Sequence, residues 1–272
     1  MNASPNPPPG GRPPRRYAVE RARTLETLRK ALDELKETNA ELESFTYTVS
    51  HDLRAPLRAI QGFGDALLED CADRLDPAGQ GYVRHIVTSA QRLDTLIQDL
   101  LAYSRLGRAD FRFQSVSLTA VVEDALAQME EIREREAQIT VQEALPEAMG
   151  HRATLAQIVT NLLANAVKFA PPGVQPRVQV RAEASGQRVR LWVEDNGIGI
   201  APEHHERIFR VFERLHGLET YPGTGIGLAI VRKGVERMGG RAGVESEVGK
   251  GSRFWIELPK GTDDSGPDEV LV

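Results

Sequence analysis

From Leu25 the apolar residues step by threes and fours through Leu28, Leu32, Leu35 and Leu42, with Asn39 in the remaining seam position. That spacing makes one stripe of a helix apolar and leaves its other faces polar, so the segment is stable only where something covers the stripe. A buried Asn in such a seam costs stability but favours two strands in fixed register, and a parallel coiled-coil dimer is the expectation. The stripe continues through Val49, Leu53 and Ile60, giving one helix to about Asp70. A turn at Asp73-Arg-Leu-Asp-Pro-Ala-Gly79 follows, then a second stripe at Val83, Ile86, Ala90, Leu93, Ile97 and Leu100. Two such helices form a hairpin. Its leftover apolar surface is what a second copy would cover, as a four-helix bundle in a homodimer.

The chain has 272 residues, 40% of them hydrophobic, which is enough for a well-cored domain beyond the hairpin. A net charge of -5 and a pI near 5.8 leave no basic excess to neutralise phosphates, which argues against nucleic acid as the main partner. The single cysteine, Cys71, excludes an internal disulfide, and no run approaches the roughly eighteen apolar residues of a membrane span. Met1 to Pro14 is rich in Pro, Gly and Asn and lacks the apolar core of a signal peptide, so a cytoplasmic protein is expected. The divisions read as a disordered tail over 1–18, a coiled-coil helix over 19–44, a dimerisation hairpin over 45–107, a second domain over 112–260 and a disordered tail over 261–272.

His51 falls off the apolar stripe, towards solvent, with Asp52 beside it and Pro56 five residues on. A histidine on a helix surface is ordinarily only that. Here the proline removes a backbone N–H, so the carbonyl of Asp52 loses its helical partner and the helix can bend beside the histidine. Adjacent side chains on a helix do not face each other by default, and a contact between His51 and Asp52 requires particular rotamers.

Past a linker near Gly107 to Phe111, the pattern alternates. A short strand near Phe113 to Val116, a helix over Leu118 to Arg135, a strand at Gln138 to Gln142 and a helix over His151 to Phe169 come first. Strands at Val174 to Ala182 and Val189 to Val193, a helix from about Gly225 to Met238, and strands at Arg241 to Ser246 and Ser252 to Leu258 complete it. Strands mixed with helices in this way predict a sheet covered on one face by helices.

Within the helix over 151–169, Asn161, Asn165 and Lys168 share one face. That face is either a plain solvated stripe or a site in which an amide oxygen ligates magnesium and the lysine meets phosphate. The next strand ends in Asp195-Asn-Gly197-Ile-Gly199. A carboxylate there can accept from the exocyclic amine of adenine, whereas guanine presents an acceptor at the same position. Gly197 and Gly199 would let the backbone approach base and sugar. A second glycine group, Gly223-Thr224-Gly225-Ile-Gly227-Leu228, opens into a helix, where free N–H groups favour an anion. It lacks the Gly-Lys-Ser/Thr of a P-loop and the third spaced glycine of a dinucleotide fold. Between the two groups, Ile208 to Arg214 and then His216 to Pro222 read as an apolar-anchored lid.

Taken in order, the His51 box, the Asn helix, Asp195-x-Gly-x-Gly, Phe209-x-x-Phe212 and Gly223-x-Gly-x-Gly resemble the sensor histidine kinase family from about Leu25 to Pro259. Arg214-Leu-His-Gly217 and Tyr221-Pro-Gly-Thr224 are most similar to the kinase modules of phytochrome-type sensors. The resemblance implies an α+β chain: a helical-hairpin dimerisation domain followed by an α/β sandwich ATP-binding domain of the gyrase, Hsp90 and histidine kinase type. It implies ATP and magnesium as cofactors, with magnesium on Asn165, adenine on Asp195, and phosphates on Lys168 and the glycines. Arg214, Thr224 and Leu228 join them at the nucleotide, and His51 is phosphorylated while Asp52 draws its proton. Related ATPases carry a hydrolytic glutamate where this chain has Asn161, and an amide cannot deprotonate water, so ATP should be saved for His51. His151 stands where the family often has Asp, which implies a weaker N-cap. The implied partner is the receiver domain of a response regulator. With so little chain before Leu25, input is expected from an upstream sensor or regulatory protein. Two other readings stand beside this one: an ATPase or serine kinase of the same fold, disfavoured by the His51 box and Asn161, and a catalytically silent dimeric scaffold, against which the intact motifs count.

The seam yields a direct test. Asn39→Leu should raise the thermal midpoint while admitting oligomers other than the dimer, read by thermal unfolding alongside light scattering; a variant that melts below the parent would remove Asn39 from the seam.

Overall fold

The computed structural model describes residues 15–108, 112–129, 135–215, 217 and 221–261, with the side chains of 15–22 and of a few further helical positions, Asn39 and Leu42 among them, left aside. The seam role of Asn39 and the linker at 109–111 therefore lie outside the described residues. Two compact units are present, Met1–Phe45 and Thr46–Val272.

In the first unit the described chain is helix α1, Arg15–Asp70, which starts inside the stretch read as a tail and continues into the second unit. Leu25, Leu28, Leu32 and Leu35 are all exposed along it. An uncovered stripe of four leucines is the surface the heptad spacing demands a partner for.

The second unit opens with the rest of α1, unbroken through Pro56, and turns back through Ala72–Arg74 into α2, Pro77–Arg108. The restart follows from its residues: Asp76 Oδ1 accepts from the Gly79 N–H at 2.7 Å, and Pro77 supplies a first helical residue that needs no N–H partner. Leu57 packs with Ala90, Ile97 and Leu101 between the helices, and the Arg54 Nε lies 3.5 Å from Asp94. Gly64 sits at the closest approach, where a Cβ would lie 2.4 Å from Val87 Cγ2. Leu53, Ile60, Phe63, Ile86 and Leu93 remain exposed, Phe63 by 75%.

Beyond the hairpin, β1 (Gln114–Ser117) pairs antiparallel with β3 (Glu147–Gly150) as a small ribbon. The main sheet has the order β2-β4-β5-β7-β6, from β2 (Gln138–Val141), β4 (Arg177–Ser185), β5 (Arg188–Asp195), β7 (Ser252–Pro259) and β6 (Arg241–Ser246). Only β2 runs parallel to its neighbour. Helices α3 (Leu118–Gln128), α4 (Arg152–Lys168) and α5 (Gly227–Arg237) cover one face. Alternation builds that layer: Val178 and Val180 on β4, Val189, Leu191 and Val193 on β5, and Phe254, Ile256 and Leu258 on β7 are buried against Leu155, Ile158, Leu162 and Val235. On the other face Trp192 stands opposite Trp255, and Trp192 is covered by Arg181 at 4.9 Å and Arg190 at 5.6 Å from its ring.

Three details differ from the sequence reading. Strand β3 was not anticipated; Glu-Ala-Met-Gly has no strand propensity, and its pairing with β1 decides it. Helix α3 ends at Gln128, with Arg135 in a turn and Glu136 at φ +50, while 130–134 lie outside the described residues. Strand β4 starts at Arg177 rather than Val174, after a turn in which the Val174 N–H donates to the Pro171 carbonyl. In line with the expectation of a weaker N-cap, His151 caps α4 through Nδ1 accepting from the Thr154 N–H in a long bond of 3.4 Å.

The tight hairpin contact gives a stability test. Gly64→Leu should lower the thermal midpoint by an amount corresponding to about 1–3 kcal/mol, and Val87→Ala in that background should recover part of the loss; an unchanged midpoint would show that the helices are not held at this spacing.

Candidate nucleotide-binding and phosphoacceptor site

Asp195 ends β5, the middle strand of the sheet, in register with Val178 on β4 and Ser252 on β7. Its Oδ1 accepts from the Gly197 N–H at 2.8 Å and the Ser252 N–H at 3.1 Å, which fixes the carboxylate and leaves Oδ2 for a ligand. The Asp-x-Gly spacing is what permits this clasp, since a Cβ on residue 197 would lie 2.7 Å from Oδ1 and 2.9 Å from the Phe169 carbonyl. Gly199 has φ +70 and packs on the Glu247 carbonyl, 2.0 Å from where its Cβ would be. The close approach that both glycines allow is thus to the protein's own backbone. Gly199 also lines the pocket. Burial pushes the Asp195 carboxyl up to about 6 against the lowering effect of its two N–H donors. Its ionised form at neutral pH therefore costs the fold on the order of 3 kcal/mol, part of which a donor on a ligand would offset.

The same pocket is lined by Asn161, Asn165 and Lys168 of α4. Asn161 is already engaged, its Nδ2 donating to the Gly227 carbonyl at 3.2 Å and tying α4 to the start of α5. Among the described residues the Asn165 amide has no hydrogen-bond partner, and its oxygen is open to the pocket. Lys168 is lowered to about 8, first by burial and then by the neighbouring Arg214, with Asp99 opposing. A buried cation held down by a second cation is a site for an anion. Gly223, Thr224, Gly225, Gly227 and Leu228 line this pocket too, and the residue before α5, Ile226, makes no side-chain cap, so the first N–H groups of the helix are available.

The segment between the glycine groups is partly described. Ile208 and Phe209 are buried and anchor it, whereas Phe212 is exposed at φ +64, its N–H donating to the Gly225 carbonyl at 3.0 Å. Arg214 donates to the Tyr221 carbonyl at 3.0 Å, and Tyr221 packs on Phe169 with ring centroids 5.1 Å apart. His216 and 218–220 lie outside the described residues.

Magnesium fits this donor set in a limited way. One unpartnered amide oxygen, on Asn165, suits a hard cation that takes most of its ligands from phosphate and water, and no cluster of three His, Cys, Asp or Glu offers an alternative among the described residues.

His51 and Asp52 lie outside this pocket, on α1. Their side chains do meet: His51 Nδ1 is 3.2 Å from Asp52 Oδ1, with both groups more than two-thirds exposed. Because Arg54 faces Asp94, three residues further along each antiparallel helix put His51 level with Ile97. The α2 segment at that height carries Thr95 and Asp99, which line the nucleotide pocket. These two residues were not anticipated from the sequence, because nothing in the stripe of α2 says which face the second layer meets.

Residues 41–109 match the His Kinase A (phospho-acceptor) domain, and residues 150–262 match the histidine kinase-, DNA gyrase B- and HSP90-like ATPase domain. The chain belongs to the sensor histidine kinase family. Cyanobacterial phytochrome A of Nostoc sp. is 36% identical over 240 residues, covering 88% of this chain and 31% of that protein. Sensor histidine kinase AruS of Pseudomonas aeruginosa is 39% identical over 253 residues, covering 89% of this chain and 25% of that one. The chain thus spans about a third or less of the curated relatives it matches. Among solved structures, full-length ShkA in complex with AMPPNP shares 33% identity at a TM-score of 0.63, over 80% of this chain and 46% of that one. These matches bear out the family and the fold read from the motifs: a phosphoacceptor-type hairpin followed by a histidine kinase-type α/β layer. No helix among the described residues is long and apolar enough to cross a membrane.

The raised Asp195 sets a pH test. A ligand amine that donates to its carboxylate favours the ionised form, so affinity is full above pH 6 and is lost as pH falls through it. Adenosine, which does not itself titrate there, should bind roughly tenfold more weakly at pH 5 than at pH 7.5, by isothermal titration calorimetry. Asp195→Asn should be weak at both; a flat profile in the parent would sink the assignment.

Proposed function

We propose that this protein is an ATP-dependent histidine kinase that phosphorylates His51 and passes the phosphoryl group to an aspartate of a response regulator's receiver domain. The observation that carries the proposal is the 3.2 Å contact of His51 Nδ1 with Asp52 on an exposed helix face, in a chain whose pocket is lined by a carboxylate, a lysine, an amide and a helix start. Asp52 accepts the Nδ1–H, which fixes the neutral tautomer and leaves the Nε2 lone pair as nucleophile. Nε2 attacks the γ-phosphorus of ATP in line, the bond from that phosphorus to the β,γ-bridging oxygen breaks, and ADP departs. The Nδ1 proton moves towards Asp52 as the ring gains positive character. A receiver carboxylate then takes the phosphoryl group and His51 returns to the neutral ring.

In the pocket, Asp195 Oδ2 reads the adenine amine, while Lys168 and the N–H groups at the start of α5 hold the phosphates. Asn165 would hold magnesium, which when bound neutralises phosphate charge. The binding of AMPPNP by ShkA supports a nucleotide here. Asn161, turned towards Gly227, is an amide and cannot itself deprotonate water, which favours transfer over hydrolysis. The exposed apolar positions of the hairpin, Leu53, Ile60, Phe63, Ile86 and Leu93, support a homodimer built on that face. An upstream sensor or regulatory protein acting through α1 completes the proposal.

With γ-labelled ATP the protein should acquire acid-labile, alkali-stable label, and His51→Gln should lose it while binding ATP as the parent does. Phosphohistidine persisting in that variant would move the acceptor elsewhere, and a parent that binds ATP without ever becoming labelled would favour the scaffold reading.

A further inference from the structure

Asp99 stands out among the groups that line the phosphate end of the pocket, because it is an acid where anions are to be held and because it comes from the hairpin helix α2. Thr224, in the second glycine group, donates its hydroxyl to Asp99 Oδ2. Lys168 faces it closely enough that each charge favours the other, although burial is the larger influence and pushes the Asp99 carboxyl up. A half-buried carboxylate is thus held by a hydroxyl of the glycine loop and lies in the field of the pocket lysine. These are the partners that the loop and the lysine would offer a phosphate.

The surroundings show what this contact fastens. Leu106 of α2 is buried with Ile226 and Ile230 at the start of α5, and Leu100, Tyr103 and Val211 pack around them. Lys233 of α5 lies 4.1 Å from the ring centroid of Tyr103. The seam between hairpin and nucleotide layer therefore runs along the first turns of α5, the stretch whose N–H groups face the pocket. Asp99 and Thr224 add a polar tie at the pocket edge of that seam.

We infer that Asp99 is a built-in phosphate mimic: it occupies part of the phosphate subsite, pins α2 to the glycine loop, and is displaced when nucleotide phosphates enter. This rests on the nucleotide reading of the pocket. Like charges cannot share the Lys168 and Thr224 partners, so the phosphates and Asp99 compete for them. Competition is reciprocal: what phosphate binding does to the Asp99 contact, loss of Asp99 must do to phosphate affinity. A ligand without phosphates does not compete, so adenosine is indifferent to Asp99. Release of the tie would loosen α2 from the first turns of α5, linking ATP entry to freedom of the layer that must deliver it to a histidine.

The test compares adenosine, ADP and ATP, with magnesium, on the parent and on Asp99→Asn and Asp99→Ala, by calorimetry. The expected result is unchanged adenosine affinity in all three proteins with ATP binding roughly tenfold tighter in both variants. ATP should also speed amide exchange over 99–106 and 226–230 in the parent, and those amides should already exchange fast in the variants. ATP affinity unchanged or weakened in the variants, with adenosine binding intact, would overturn the mimic and make Asp99 a group that helps hold nucleotide. Failure of all three ligands to bind the parent would instead overturn the nucleotide reading on which the inference stands.

Discussion

The nucleotide half of this chain depends on holding one carboxylate, Asp195, at the half-buried end of the central strand. Two backbone N–H groups, from Gly197 and Ser252, grip Oδ1, and they come from the turn after β5 and from the neighbouring strand β7. The grip needs β7 beside β5, which the sheet order provides, and it needs a residue without a side chain at 197. Burial still outweighs those donors and leaves the carboxyl near 6, so the site is held ready at a cost that the core must cover. Val189, Leu191 and Val193, alternating along the same strand, bury their side chains in the layer that does so.

Much of this was legible because the residues concerned have few physical alternatives. Leucines at heptad spacing can only make a stripe on a helix, and Val189-x-Leu191-x-Val193 can only make a half-buried strand. Asp195-x-Gly197 was read as a base-contacting turn, and the structure adds that its glycine first serves the carboxylate's own hydrogen bond. What stayed hidden depends on contacts distant in sequence. Strand β3 exists because β1 pairs with it, and Glu147 to Gly150 carries no local signal for that. Asp99 sits on a helix whose stripe was read entirely as hairpin surface, yet its side chain reaches a loop 125 positions away. The His51–Asp52 contact is a matter of rotamers, which spacing along a helix cannot supply.

The hairpin obeys a different economy from the sheet. Its interior is thin, with Leu57, Ala90, Ile97 and Leu101 as its buried cluster, and Gly64 lets the helices approach closely enough for so small a core to close. Leu53, Ile60, Phe63, Ile86 and Leu93 point outwards, which for an isolated two-helix unit is a cost and for a bundle of four is the means of assembly. The same exposed geometry keeps His51 accessible. On the proposed function, His51 would meet a nucleotide and later a second protein, and the exposed flank of a two-helix ribbon leaves it clear of any single pocket.

The two halves therefore set opposing requirements. On the proposed function, ATP would be held in the pocket that Asp195 and Lys168 line, while the proposed acceptor His51 stands exposed on α1, outside that pocket. Both stand on regular elements, so the proposed transfer requires the seam of Leu106, Ile226 and Ile230 to be breakable. A seam of three fully buried side chains with a few half-buried neighbours is small beside the core under the sheet. Contacts of that size come apart at far lower cost than the fold that carries them, as an element that moves must. That small seam thus lies where the proposed transfer needs motion, between α2 of the hairpin and α5, whose first turn lines the pocket.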